Sequence, residues 1–143
     1  LLEAYYQGLM RAGLHEKVEK ELVAALKSDW RGPLVQLFGQ VQGADVSKQL
    51  TTAEGWLTSR AEDPDLLLTA ARLCLKNELW GKARSYLETL ISLKPSPEAY
   101  QEYGALLTQM DEADAAADAY RDGLRMMAGN NLKALPHITD SQS

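Results

Sequence analysis

The sequence predicts an all-α fold built from a repeated unit, and three observations carry that prediction. The first is a self-similarity between Asp63 and Tyr120. Ala71 stands twelve residues before Ala83, Leu87 follows four later, and Pro95 closes the unit twelve after Ala83. Gly104 then stands twelve before Ala116, with Tyr120 four later, an offset of 33 residues between the two copies. A small residue in each of two helices lets their backbones approach, and the leucine or aromatic one turn on fills the space beyond. The second observation is apolar residues at helical spacing in segment after segment. The third is composition: 45% hydrophobic with Leu and Ala dominant, and five Pro and ten Gly mostly between the periodic segments, as in all-helical globular domains.

A period near 34 with a small–small–large pattern and a closing proline marks the tetratricopeptide repeat. The expected architecture is therefore a tetratricopeptide-repeat-like α-solenoid of about eight antiparallel helices in four helix–turn–helix pairs. It would occupy residues 1–129 and leave 130–143 as a disordered tail of low apolar content. One pair cannot bury its own apolar face, so the pairs would stack into a short right-handed superhelix with a concave inner side.

Residues 1–12 place Leu2, Tyr5, Tyr6 and Leu9 on one helical face, and Gly13 breaks the run. The second helix, 14–28, turns Leu14, Val18, Leu22, Ala25 and Leu26 inward, with Tyr6, Val18 and Leu22 repeating the twelve-and-four spacing. Pro33 suits the first turn of a third helix reaching Gln42, because its missing N–H would have no helical partner there. After the loop Gly43–Asp45, a fourth helix, 46–60, carries Leu50, Ala53, Trp56 and Leu57 inward. Its phase is irregular: the position 34 before Ala83 is Gln49, which is not small, so a longer or differently angled turn is expected before it. Asp63–Pro64 reads as an N-cap and first-turn proline for helix five, 64–76. Helices six (80–93) and seven (97–109) are separated by the break Lys94–Pro97, and helix eight, 113–128, should end at Gly129–Asn131.

Charge and composition weigh against several functions. A net charge of −5 and a pI near 5.0 argue against a nucleic-acid-binding face. One cysteine excludes an internal disulfide framework. No apolar run approaches the roughly 20 residues of a membrane span. The chain starts at Leu1 with no initiator methionine, and is expected to be part of something longer.

Little in the sequence points to chemistry. His15 falls in a turn and His137 in the tail, each reading as a solvated loop histidine. Cys74 sits in an apolar stripe with Leu67 and Leu75, as a small buried hydrophobe would. Carboxylates cluster at Glu19/Glu21, Glu62/Asp63/Asp65 and Asp111/Glu112/Asp114, which are helix starts or solvated faces and answer to the helix dipole. There is no phosphate-cradling glycine loop and no nucleophile elbow, so no catalytic, cofactor-binding or metal residues are assigned and an enzyme is not expected.

The candidate site is instead the inner face of the first helix of each pair. Its contacts would be Gln7 and Arg11, Phe38 and Gln42, Leu68, Arg72 and Lys76, and Gln101, Ala105 and Gln109. Arg72 and Lys76, one turn apart, would receive an acidic or C-terminal peptide group. The plain reading of both is a solvated helix face. A Lys/Asn clamp on successive helices, as in chaperone-tail binders, is absent.

The run from Asp63 to Tyr100 resembles the C-terminal repeat domain of the HemY family of proteobacterial protohaem IX biosynthesis proteins. LWGKAR (Leu79–Arg84), YLE (Tyr86–Glu88), KPSPEAY (Lys94–Tyr100) and RDGL (Arg121–Leu124) carry the resemblance. GADVSKQLTTAEGWL is similar as well, and the likeness covers roughly residues 1–128. It implies a helical repeat domain on the cytoplasmic face of the bacterial inner membrane, behind two transmembrane helices not in this chain, and a link to late haem synthesis. It implies no catalytic residues, and nothing here looks like the flavin-dependent oxidase that shares the family's name. The expected function is a non-catalytic adaptor for a protein or peptide partner such as a haem-pathway enzyme, with no cofactor and no nucleic acid. The rival is a direct haem or porphyrin binder using Phe38, Arg72 and Lys76, with His15 or Cys74 as axial ligand.

Overall fold

The computed structural model describes residues 1–133, which form eight α-helices and no strand. They are α1 (Leu2–Arg11), α2 (His15–Ser28), α3 (Gly32–Gln40), α4 (Val46–Leu57), α5 (Pro64–Lys76), α6 (Trp80–Leu93), α7 (Pro97–Gln109) and α8 (Ala113–Lys133). The expected bounds of α5, α6 and α7 are met residue for residue, while α3 and α4 stop two and three residues early. Helix α8 differs most. It runs straight through Gly129, Asn130 and Asn131, because these residues permit a left-handed cap without requiring one. Residues 130–133 are therefore helix and not tail, and the rest of the expected tail, 134–143 with His137, lies outside the described residues.

Helix starts follow local chemistry. Asp45, Asp63 and Ser96 accept from the backbone N–H of Lys48, Leu66 and Ala99, each at 3.1 Å. These are side-chain N-caps satisfying first-turn donors. Pro64 and Pro97 follow the last two caps directly.

Helix ends show the repeat most clearly. After α5, Glu78 takes φ 56°, its N–H donates to Leu75 O at 3.1 Å, and Leu79 N–H donates to Cys74 O at 2.9 Å. After α7, Asp111 takes φ 63° with the same two bonds, to Thr108 O and from Glu112 N–H to Leu107 O. After α1, Gly13 takes φ 83°, and the bonds run to Met10 O and from Leu14 N–H to Leu9 O. This is one Schellman motif used three times. Two of its left-handed residues lie 33 apart, the period read from the side chains. Among α1, α3, α5 and α7, only α3 ends otherwise, running into extended backbone at Val41.

The chain divides into two compact units, Leu1–Tyr86 and Leu87–Ser143. In the first, α1 packs on α2 and α3, α2 on α3, and α5 on both α3 and α4. Val18, Leu22, Val35, Phe38, Leu66 and Leu73 are fully enclosed, as are Ala71 and Ala83. Trp56 meets Trp30 edge-on at 5.4 Å and Phe38 at 4.9 Å between centroids, and Arg60 stacks 3.9 Å over the Trp30 ring. Trp30 Nε1 donates to Asp63 at 2.7 Å, tying this cluster to the cap of α5. Tyr6 is buried as expected, but Leu2 and Tyr5 face out, so α1 offers a narrower apolar stripe than its sequence suggests.

In the second unit α7 packs on α8 through Leu107, Ala116 and Ala119, flanked by Tyr100, Tyr103 and Ala115. The small-residue slot behaves as the pattern requires. A Cβ on Gly104 would lie 2.8 Å from the Tyr120 ring, so the glycine makes room for the aromatic.

Candidate functional site

The inner-face residues named from the sequence are not all exposed. Phe38 is fully enclosed and Leu68 is buried, so neither is a groove contact; both belong to the core of the first unit. The aromatic contact with Trp56 holds Phe38 there. Gln101, Ala105 and Gln109 do share an exposed face of α7, in the second unit.

Gln7, Arg11 and Gln42 are brought together. With Met10, His15 and Gln40 they line an open depression of about 500 Å³ in the first unit. Gln7, Met10 and Arg11 share one face of α1 by their three- and four-residue spacing. Gln40 comes from the end of α3, Gln42 from the following loop, and His15 from the start of α2. Gln42 N–H donates to His15 Nδ1 at 3.1 Å, which pins the loop to α2. In this arrangement the neutral imidazole carries its proton on Nε2 and presents a donor. The lining thus offers a guanidinium, three amides and an imidazole N–H, with Met10 as the apolar element.

Lys76 plays a different part from the one expected. Its ammonium donates to Gly39 O at 2.8 Å, capping α3. Burial lowers its pKa from the usual lysine value, and the Arg72 charge adds to the effect. The Arg72–Lys76 pair is therefore partly committed to structure.

A second polar group went unseen in the sequence. Lys82 Nζ meets the Glu54 carboxylate at 3.0 Å, and the Tyr86 hydroxyl donates to the same carboxylate. Burial pushes the Glu54 carboxyl up, but the bonds from Tyr86 and Lys82 and the Lys82 charge outweigh it and hold it below the ordinary value. Tyr86 is pushed up by burial first and then by Glu54. A phenol held protonated against a carboxylate held ionised is a strut between α4 and α6, not a nucleophile and base. In the sequence only Lys82 and Tyr86 one turn apart are visible together; Glu54, 32 residues before Tyr86, carries no signal pointing to them.

Each proposed axial ligand would have to give something up to bind iron. His15 presents N–H, not a lone pair, on its unbonded side. Cys74 is fully enclosed, and burial, with Glu54 adding, pushes its thiol up to about 11, away from the thiolate a metal needs. Among the described residues no group of three or more His, Cys, Asp or Glu is placed to hold a metal ion, and no helix is long and apolar enough to cross a membrane.

No protein-family model matches this chain, and no curated protein matches it.

Proposed function

We propose that this chain is a tetratricopeptide-repeat array that docks a protein or peptide partner without catalysis. The observation that carries the reading is the same Schellman turn at Gly13, Glu78 and Asp111. It supports a stack of like units, and such stacks present extended surfaces for partner segments. The docking surface is the depression around Arg11, His15 and Gln42, whose donors suit a segment carrying a carboxylate. The HemY resemblance supports a setting at the cytoplasmic face of the bacterial inner membrane, beside enzymes of late haem synthesis, with anchoring by segments outside this chain.

The test is affinity capture from solubilised bacterial inner membrane with the wild-type chain and with Arg11→Glu as baits. Arg11 is the better probe than Lys76, because replacing Lys76 also uncaps α3. A partner retained by the wild type and lost by a folded Arg11→Glu supports the reading. Equal recovery by both removes the depression from consideration. Titration with haem, followed at the Soret band, checks the rival. A saturable micromolar site lost in His15→Ala would replace adaptor by carrier.

A further inference from the structure

The solvent side of α8 is unusually apolar. Tyr120, Leu124 and Met127 are 40%, 65% and 50% exposed, and at spacings of four and three they form one stripe. Ala113 and Ala117 continue the stripe toward the helix start, and both are exposed. The stripe is therefore small at its N-terminal half and large at its C-terminal half. Beside it, Asp114 and Arg125 stand eleven residues apart, three turns, so they share one flank. Arg121, on the same flank, is already paired with Asp118 at 3.0 Å.

We propose that this stripe is a self-association surface and that its occupant is a second copy of the chain, its α8 running antiparallel about a two-fold axis at Tyr120. Such an axis makes the contact isologous, the same patch on both copies. It sets Ala113 against Met127 of the other copy and Ala117 against the neighbourhood of Leu124, so that large side chains meet small ones along the seam. The flank that carries Asp114 faces the same flank of the copy. Asp114 then lies within one position of the copy's Arg125, twice over by symmetry. A parallel pairing would turn this flank toward the opposite flank of the copy, so that Asp114 and the copy's Arg125 would not meet, and it would set each large side chain against its own kind. The surface is distinct from the depression on the first unit, and the two readings stand separately.

Sedimentation velocity on the full chain, from low micromolar to submillimolar concentration, is the test. The weight-average mass is expected to rise from 15.8 kDa toward twice that value. Leu124→Glu, at an exposed position, should leave the circular-dichroism melt unchanged and hold the chain monomeric. Asp114→Lys and Arg125→Glu should each weaken the dimer about tenfold, since each acts at two symmetric contacts. The double swap should recover most of that loss. A wild-type chain that stays monomeric throughout overturns the proposal, as does a dimer indifferent to Leu124→Glu. Unrecovered affinity in the double swap rejects the antiparallel arrangement. A monomer in which deleting residues 134–143 produces the dimer assigns the stripe to the chain's own end.

Discussion

Gln49 donates its side-chain amide to the Val41 carbonyl at 3.0 Å, and the same nitrogen reaches Phe38 O at 3.3 Å. The side chain is 1% exposed and stands where the repeat elsewhere has a small residue. It supplies at the end of α3 what the left-handed turn supplies at the ends of α1, α5 and α7. Gln49→Ala should therefore destabilise the chain by about 2–3 kcal/mol, leaving two carbonyls unpaired and a cavity beside them. Chemical denaturation measures the loss. An unchanged midpoint would mean water takes over the bonds.

Glu78 and Asp111 hold the left-handed conformation that glycine adopts freely. Glu78→Gly should raise stability by about 0.5–1 kcal/mol, and Asp111→Gly by less, because aspartate tolerates this region better. Paired thermal melts decide the order. A drop in Glu78→Gly would show that its side chain, not its backbone, matters at this turn.

The Gly104–Tyr120 contact calls for a double-mutant cycle. Gly104→Ala should cost about 1–3 kcal/mol, since its new methyl meets the ring at 2.8 Å. In a Tyr120→Ala background the same change should cost little and favour the helix. Additive losses would show that the two side chains do not share that space.

Cys74 and Glu54 shape the pH profile from opposite ends. The folded thiol titrates at about 11 against 9.0 for the free group. Its contribution is complete below 9 and disappears as pH rises toward 11, on the order of 2 kcal/mol. Cys74→Ala should flatten that alkaline limb, leaving the part due to Tyr86 and Tyr6, whose pKa values are also raised. Glu54 is lowered, so its contribution holds above the ordinary glutamate value and is lost as pH falls through the folded one. Glu54→Gln should make the acid limb shallower. Urea titrations from pH 3 to 10.5 read both limbs, and parallel curves for variant and parent would refute the assignments.

The helices were legible because local signals agreed at each boundary: Asp63 before Pro64, Ser96 before Pro97, and a 33-residue period in small and large side chains. The end of α8 was not, since Gly129 signals a permitted conformation and the chain did not use it. The candidate site was only half legible. Helical spacing placed Gln7 and Arg11 on one face correctly. The same spacing does not say how deep a face sits, so Phe38 and Leu68 were expected at a surface and lie in the core. The Glu54–Lys82–Tyr86 strut and the Gly39–Lys76 cap join residues 28 to 37 apart, distances at which sequence alone gives no pairing.

The exceptional end of α3 has a consequence for the order of events in folding. Three helices are closed by neighbours within five residues and can be completed as soon as they form. Helix α3 is closed by Gln49, eight and eleven residues on, and by Lys76, 37 residues on, while the loop after it is held by His15, 27 residues back. Those links carry the loop-closure entropy that a local turn avoids. The Gln40–Gly43 segment should thus be among the last parts of the first unit to lose amide exchange during refolding, and the first to regain it as denaturant is added.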